Sequence, residues 1–99
     1  MKKLLLLSLS LFAGLTQAQY VTTVNQFPDP RVTDAVIADQ HFNLFISDFN
    51  GTSVYKRDPS GTLSVFASGF DSPNGLAFDS QENLFVVDFG GSAIYKVSY

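Results

Sequence analysis

Asn83-Leu84-Phe85-Val86-Val87-Asp88-Phe89-Gly90-Gly91-Ser92-Ala93-Ile94-Tyr95-Lys96 decides the fold, because Asn43-Leu44-Phe45-Ile46-Ser47-Asp48-Phe49-Asn50-Gly51-Thr52-Ser53-Val54-Tyr55-Lys56 is a near copy of it forty residues earlier. Self-similarity at a fixed period of 20 to 50 residues marks architectures built from stacked supersecondary units. The unit here is rich in β-branched and aromatic residues, the composition of strands.

Working outward, Asp34 to Asp39 and Asn74 to Asp79 are short apolar runs between turn residues, and each predicts a strand buried on both faces. The polar turns Gln40-His41-Phe42 and Ser80-Gln81-Glu82 follow them, and lead into strands over Asn43 to Asp48 and Asn83 to Asp88. Asn50-Gly51 and Gly90-Gly91 stand where a tight hairpin wants positive φ, so Ser53 to Arg57 and Ala93 to Val97 are third strands. Asp58-Pro59-Ser60-Gly61 has the residues of a type I turn, and Thr62 to Ser68 is the fourth strand of the first copy. Tyr20 to Phe27 also reads as a strand, ended by Pro28-Asp29-Pro30.

The chain thus divides into residues 1–18, a signal peptide; 19–33, an N-terminal strand and linker; 34–73, a first repeat; and 74–99, a second repeat lacking its outer strand. Met1-Lys2-Lys3, the apolar stretch Leu4 to Leu15 and Thr16-Gln17-Ala18 have the order of a secretory signal, which predicts export to a periplasmic or extracellular space. The apolar stretch is shorter than the ~20 residues that span a bilayer. Beyond residue 18, four cations face nine carboxylates, a net charge of −5. Nucleic acid and anionic membranes select basic faces, so neither is expected as a partner. The chain has no cysteine, hence no disulfide framework and no thiol nucleophile.

The expected fold class is all-β: four-stranded antiparallel sheets in a forty-residue repeat, the size of a β-propeller blade, with about two blades in this chain. Ser72-Pro73-Asn74-Gly75-Leu76-Ala77-Phe78-Asp79, followed by Glu82-Asn83-Leu84-Phe85-Val86-Val87-Asp88, resembles the blade signature of NHL-repeat proteins and of the gluconolactonase/regucalcin (senescence marker protein) family of six-bladed propellers. The similarity covers about residues 33 to 99. Phe42 and Glu82 stand where that family often has Gly, and Thr33-Asp34-Ala35 replaces Pro-Asn-Gly in the first copy. In the gluconolactonase-like enzymes a divalent cation is held on the propeller axis by Glu, Asn and Asp side chains at the starts of inner strands. The resemblance therefore implies Asn74 and Asp34 as metal ligands for Ca2+ or another divalent cation. Hard oxygen ligands suit calcium, and such a cation could polarise a lactone carbonyl. The alternative is structural: both residues hydrogen-bond their own turns.

Other chemistry-bearing residues read as scaffold. Asp39, Asp79, Asp48 and Asp88 recur with the repeat and are expected as turn caps or strand-end acceptors. His41, the only histidine, lies in a polar turn without an evident partner, and no Gly-x-Ser-x-Gly elbow is present, so no catalytic residue is assigned. Two functions remain: an exported NHL-like binding scaffold for a protein or small-molecule ligand, or part of a gluconolactonase-like metal-dependent hydrolase. Two blades leave apolar faces open. They are expected to be covered either by further blades of a longer propeller, of which this chain would be a fragment, or by other copies in a homotrimer, each Tyr20 to Phe27 strand filling a neighbour's vacant outer place.

Overall fold

A computed structural model describes residues 19–28 and 31–98; the predicted signal peptide lies outside the described residues. The described chain is all-β, with no helix and therefore none long and apolar enough to cross a membrane. Its strands are β1 (Thr33–Ala38), β2 (Leu44–Asp48), β3 (Ser53–Arg57), β4 (Leu63–Ser68), β5 (Pro73–Phe78), β6 (Leu84–Asp88) and β7 (Ala93–Val97). They form two antiparallel sheets, β1-β2-β3-β4 and β5-β6-β7, in which sequence neighbours pair throughout. The third strands of both copies have the bounds read from the sequence.

Alternation along the strands gives each sheet two apolar faces. Ile37, Phe45 and Val54 share one face of the first sheet, and this face packs on Leu76, Phe78, Leu84 and Val86 of the second. Phe45, fully buried, meets Phe66 edge-on at 4.8 Å and Phe78 edge-on at 5.2 Å, the geometry favoured by the ring quadrupole. At the far ends of β2 and β6, the rings of Phe49 and Phe89 lie 5.7 Å apart. The sheets therefore stack in the same orientation, each presenting a different face to the other.

Two expectations need correction. Residues 20–27 belong to no strand: the segment lies against the first sheet, its Phe27 ring 5.3 Å from that of Tyr55. A strand is a relation to a paired edge, and its β-branched composition does not supply one. The first strand is also not buried on both faces, since Val36 is 63% exposed. It has a covering sheet on one side only.

Asp39 and Asp79 cap the turns after β1 and β5 as expected. Asp39 Oδ1 accepts the His41 and Asn43 N–H groups, each at 2.9 Å, while its Oδ2 accepts the Asn43 side-chain amide at 2.9 Å. Asp79 repeats this with Gln81 and Asn83 at 2.9, 2.8 and 3.0 Å. The turn places Phe42 and Glu82 at φ 65° and 62°. This left-handed region is where Gly is least strained, which accounts physically for the Gly common at that place in the resembling families.

The cap bonds shift the carboxyls. Around Asp79 the Asn83 side chain, with the Asn83 and Gln81 N–H groups, favours the ionised form over a small opposing desolvation and holds its pKa below the ordinary value. At Asp39 desolvation is the largest single effect and raises the pKa, but bonds from Asn43 and His41 together outweigh it. A depressed folded-state pKa stabilises fully above the unfolded value, about 3.9, and the contribution is lost as pH falls through the lowered value. Asp79→Asn should therefore lower the urea midpoint at pH 7, and its gap to wild type should close as pH drops below about 4; an unchanged gap would contradict the cap's charge dependence. Phe45→Ala should cost about 3–5 kcal/mol in the same assay.

Candidate functional site

The two sequence-predicted ligands sit at β-bulges. Along β1 and β2, Thr33 opposes Asp48 and Val36 opposes Ile46, so Asp34 and Ala35 together face the single residue Ser47. Along β5 and β6, Pro73 opposes Asp88 and Leu76 opposes Val86, which sets Asn74 and Gly75 against Val87. A bulge re-aims side chains and leaves one residue outside the ladder. Asp34 is exposed and Asn74 half-buried, both at the leading ends of first strands that pack side by side. Among the described residues, no hydrogen bond joins either side chain to its own turn.

The bulge is built differently in the two copies. In the first, the buried Ser47 hydroxyl accepts the Ala35 N–H at 2.9 Å and satisfies a donor the ladder has lost. In the second, Val87 cannot do this, and Gly75 lies against its side chain: a Cβ there would come within 3.5 Å of Val87 Cγ2.

Asp48 and Asp88 are the strand-end acceptors the repeat implied. Asp88, nearly fully buried, accepts the Asp71 N–H on both oxygens at 2.8 and 2.9 Å, and Asp48 accepts the Val32 N–H at 3.3 Å. Each ties the segment entering a first strand to the end of the second. The glycines that follow them serve this bond rather than a positive φ. A Cβ on Gly51 would lie 2.5 Å from Asp48 Oδ2, and one on Gly91 would lie 2.7 Å from Asp88 Oδ2. In the second link, positive φ falls on Ser92, at 51°.

One feature of this end was not anticipated. Arg31 Nε donates to Tyr55 Oη at 2.9 Å, lies 3.6 Å from Asp48 Oδ2, and holds its guanidinium 5.2 Å from the Tyr55 ring centroid. These residues, with Asn50, Gly51, Thr52 and Ser53, line an open polar cleft of ≈ 330 Å³. Its only sequence signal is that Arg31 stands forty residues before Asp71, a reversal of charge between the copies.

For a cation, Asp34 and Asn74 supply at most three side-chain oxygens, short of the six to eight that calcium takes. Among the described residues, no group of three or more His, Cys, Asp or Glu side chains is arranged to hold a metal. No protein-family model matches the chain, and no curated protein matches it.

Ser47→Ala should cost about 1–3 kcal/mol, because it leaves the Ala35 N–H without its acceptor. Equal urea midpoints for variant and wild type would show that solvent satisfies the bulge instead.

Proposed function

We propose that this chain is an exported β-propeller repeat module of the NHL type that acts as a binding scaffold. One observation carries the reading: two sheets offset by forty residues in sequence stack in one orientation, so that their bulged leading ends, with Asp34, Asn74 and the Arg31 cleft, gather polar groups on one side. Loop and strand ends presented by a rigid stack are where repeat architectures bind ligands. A protein or small-molecule ligand with hydrogen-bonding groups fits this end, and the net charge of −5 past residue 18 disfavours polyanions. In this reading the exposed apolar faces are covered by further sheets of the same kind.

A second reading is favoured by the side chains of Asp34 and Asn74, which are not absorbed by their own turns. On the resemblance to gluconolactonase-like enzymes, they would be two ligands of a divalent cation in a hydrolase. Calcium calorimetry on the wild type separates the two. The scaffold reading expects no saturable heat; a saturable site that is lost in Asn74→Ala and in Asp34→Ala would overturn it in favour of the metal-dependent hydrolase.

A further inference from the structure

The leading end of the first sheet carries a group that the repeat does not require. In the second copy, Asp88 secures the entering segment by accepting one N–H on both oxygens, at 2.8 and 2.9 Å, with no ion pair among the described residues. Asp48, its counterpart forty residues earlier, accepts an N–H at 3.3 Å and turns Oδ2 to Arg31, 3.6 Å away. A residue demanded by the scaffold would recur with the copies, whereas the counterpart of Arg31 is Asp71. The strand-end bond is thus looser in the copy where a guanidinium shares the carboxylate.

That guanidinium is held in place without using its outer edge. Nε donates to Tyr55 Oη at 2.9 Å, and the charge lies 5.2 Å from the Tyr55 ring centroid and 5.9 Å from that of Phe27, both within cation–π range. The hydrogen bond and the ion pair both fall on Nε. Nη1 and Nη2 have no hydrogen-bond partner among the described residues, and the side chain is 37% exposed. The other groups at the ≈ 330 Å³ cleft complement this fork. Tyr55 Oη accepts from Nε and keeps its own proton to donate, and the hydroxyls of Thr52 and Ser53 have no partner among the described residues. Asp48, the one carboxylate lining the cleft, is only 7% exposed and is engaged by Val32 and Arg31. Lys56, Arg57 and Lys96 stand opposite Phe45, Leu44 and Phe85, toward the other ends of β2 and β6. Arg31 is therefore the cation of this end, in a cleft rich in donors and poor in accessible acceptors.

We propose that the Arg31 cleft binds a small carboxylate, seated on the Nη edge of the guanidinium, with Tyr55, Thr52 and Ser53 donating to its oxygens. A planar group with two oxygens matches the guanidinium fork bidentately. Asp48 offsets the charge of Arg31, so the pair favours a singly charged group over a phosphate dianion, which the net charge of −5 past residue 18 repels further. The cleft volume is at the low end of the ~300–1,000 Å³ typical of small-molecule sites, which suits a short acid. Hydroxyls both donate and accept, so Thr52 and Ser53 also suit a hydroxyl or carbonyl beside the carboxylate. The inference deepens the binding-scaffold reading and rests on it in taking this end as the one that binds.

The test is a titration of the isotope-labelled chain in EDTA, followed by its amide resonances. Lactate should shift the Thr52 and Ser53 amides and the Arg31 Nε–H saturably, and lactamide, which keeps the shape without the charge, should bind roughly tenfold more weakly or worse. N-acetylglycine stands for a peptide's terminal carboxylate: tighter binding than lactate assigns the site to a chain terminus, weaker binding to a free acid, and the carboxylate contact is common to both. Arg31→Gln, and Arg31→Lys, which keeps the charge but not the fork, should each lose roughly tenfold or more. Lys96→Gln, the same loss of charge at the other end of its sheet, should bind as wild type does. Tyr55→Phe keeps the ring beside the guanidinium and should weaken lactate several-fold. Unchanged resonances away from the cleft show that each variant is folded. No saturable shift with either acid, inorganic phosphate binding as tightly as lactate, or Arg31→Lys binding as wild type does would each overturn the carboxylate site. Because EDTA removes calcium, these outcomes are independent of the calorimetric test of the scaffold reading, and a calcium site would overturn that reading without altering them.

Discussion

Phe45 is the point on which the rest of the structure depends. A three- or four-stranded sheet with apolar side chains on both faces cannot stand alone in water, and neither sheet here has one polar face to turn outward. The edge-to-face contacts of Phe45 with Phe66 of its own sheet and Phe78 of the other join β2, β4 and β5 in one cluster, around which Val54, Phe70, Leu84 and Val86 are buried. Because the second sheet uses its opposite face for this contact, stacking buries one pair of faces; on the outer face of the first sheet Ile46 is buried and shares a cleft with Val24, Asn25 and Phe27, while Ile94 on the outer face of the second stays exposed.

The polar framework works on a different part of the fold and by a different logic. Asp39 and Asp79 organise the turns that follow the first strands, whereas Asp48 and Asp88 secure the segments that enter them. Buried carboxylates at strand ends need donors within reach and space for their oxygens, and Gly51 and Gly91 supply that space. The leading end of each first strand is thereby held rigidly while the bulge turns Asp34 or Asn74 out of the ladder. A fixed backbone carrying unabsorbed polar side chains is what a binding end requires.

Much of this was legible in the sequence because it occurs twice. Strand order, turn caps and the strand-end acceptors all follow from the forty-residue period, and β3 and β7 have the bounds that the copies predicted. What occurs once was not legible. Arg31 and Ser47 have Asp71 and Val87 as counterparts, so comparison of the copies hides their roles rather than revealing them. The segment around Val24 has strand composition, yet pairing depends on an edge that composition does not encode. The bulges at Asp34 and Asn74 were not legible either, being a register effect set by the partner strand.

Native-state hydrogen exchange under rising denaturant tests most directly whether two copies of one unit share a single core. The account predicts that the most protected amides of β2, around Phe45, and of β6, around Val86, merge into one opening reaction with a common free energy and denaturant slope. Two separate reactions, with β5–β7 opening while β1–β4 stays protected, would contradict it.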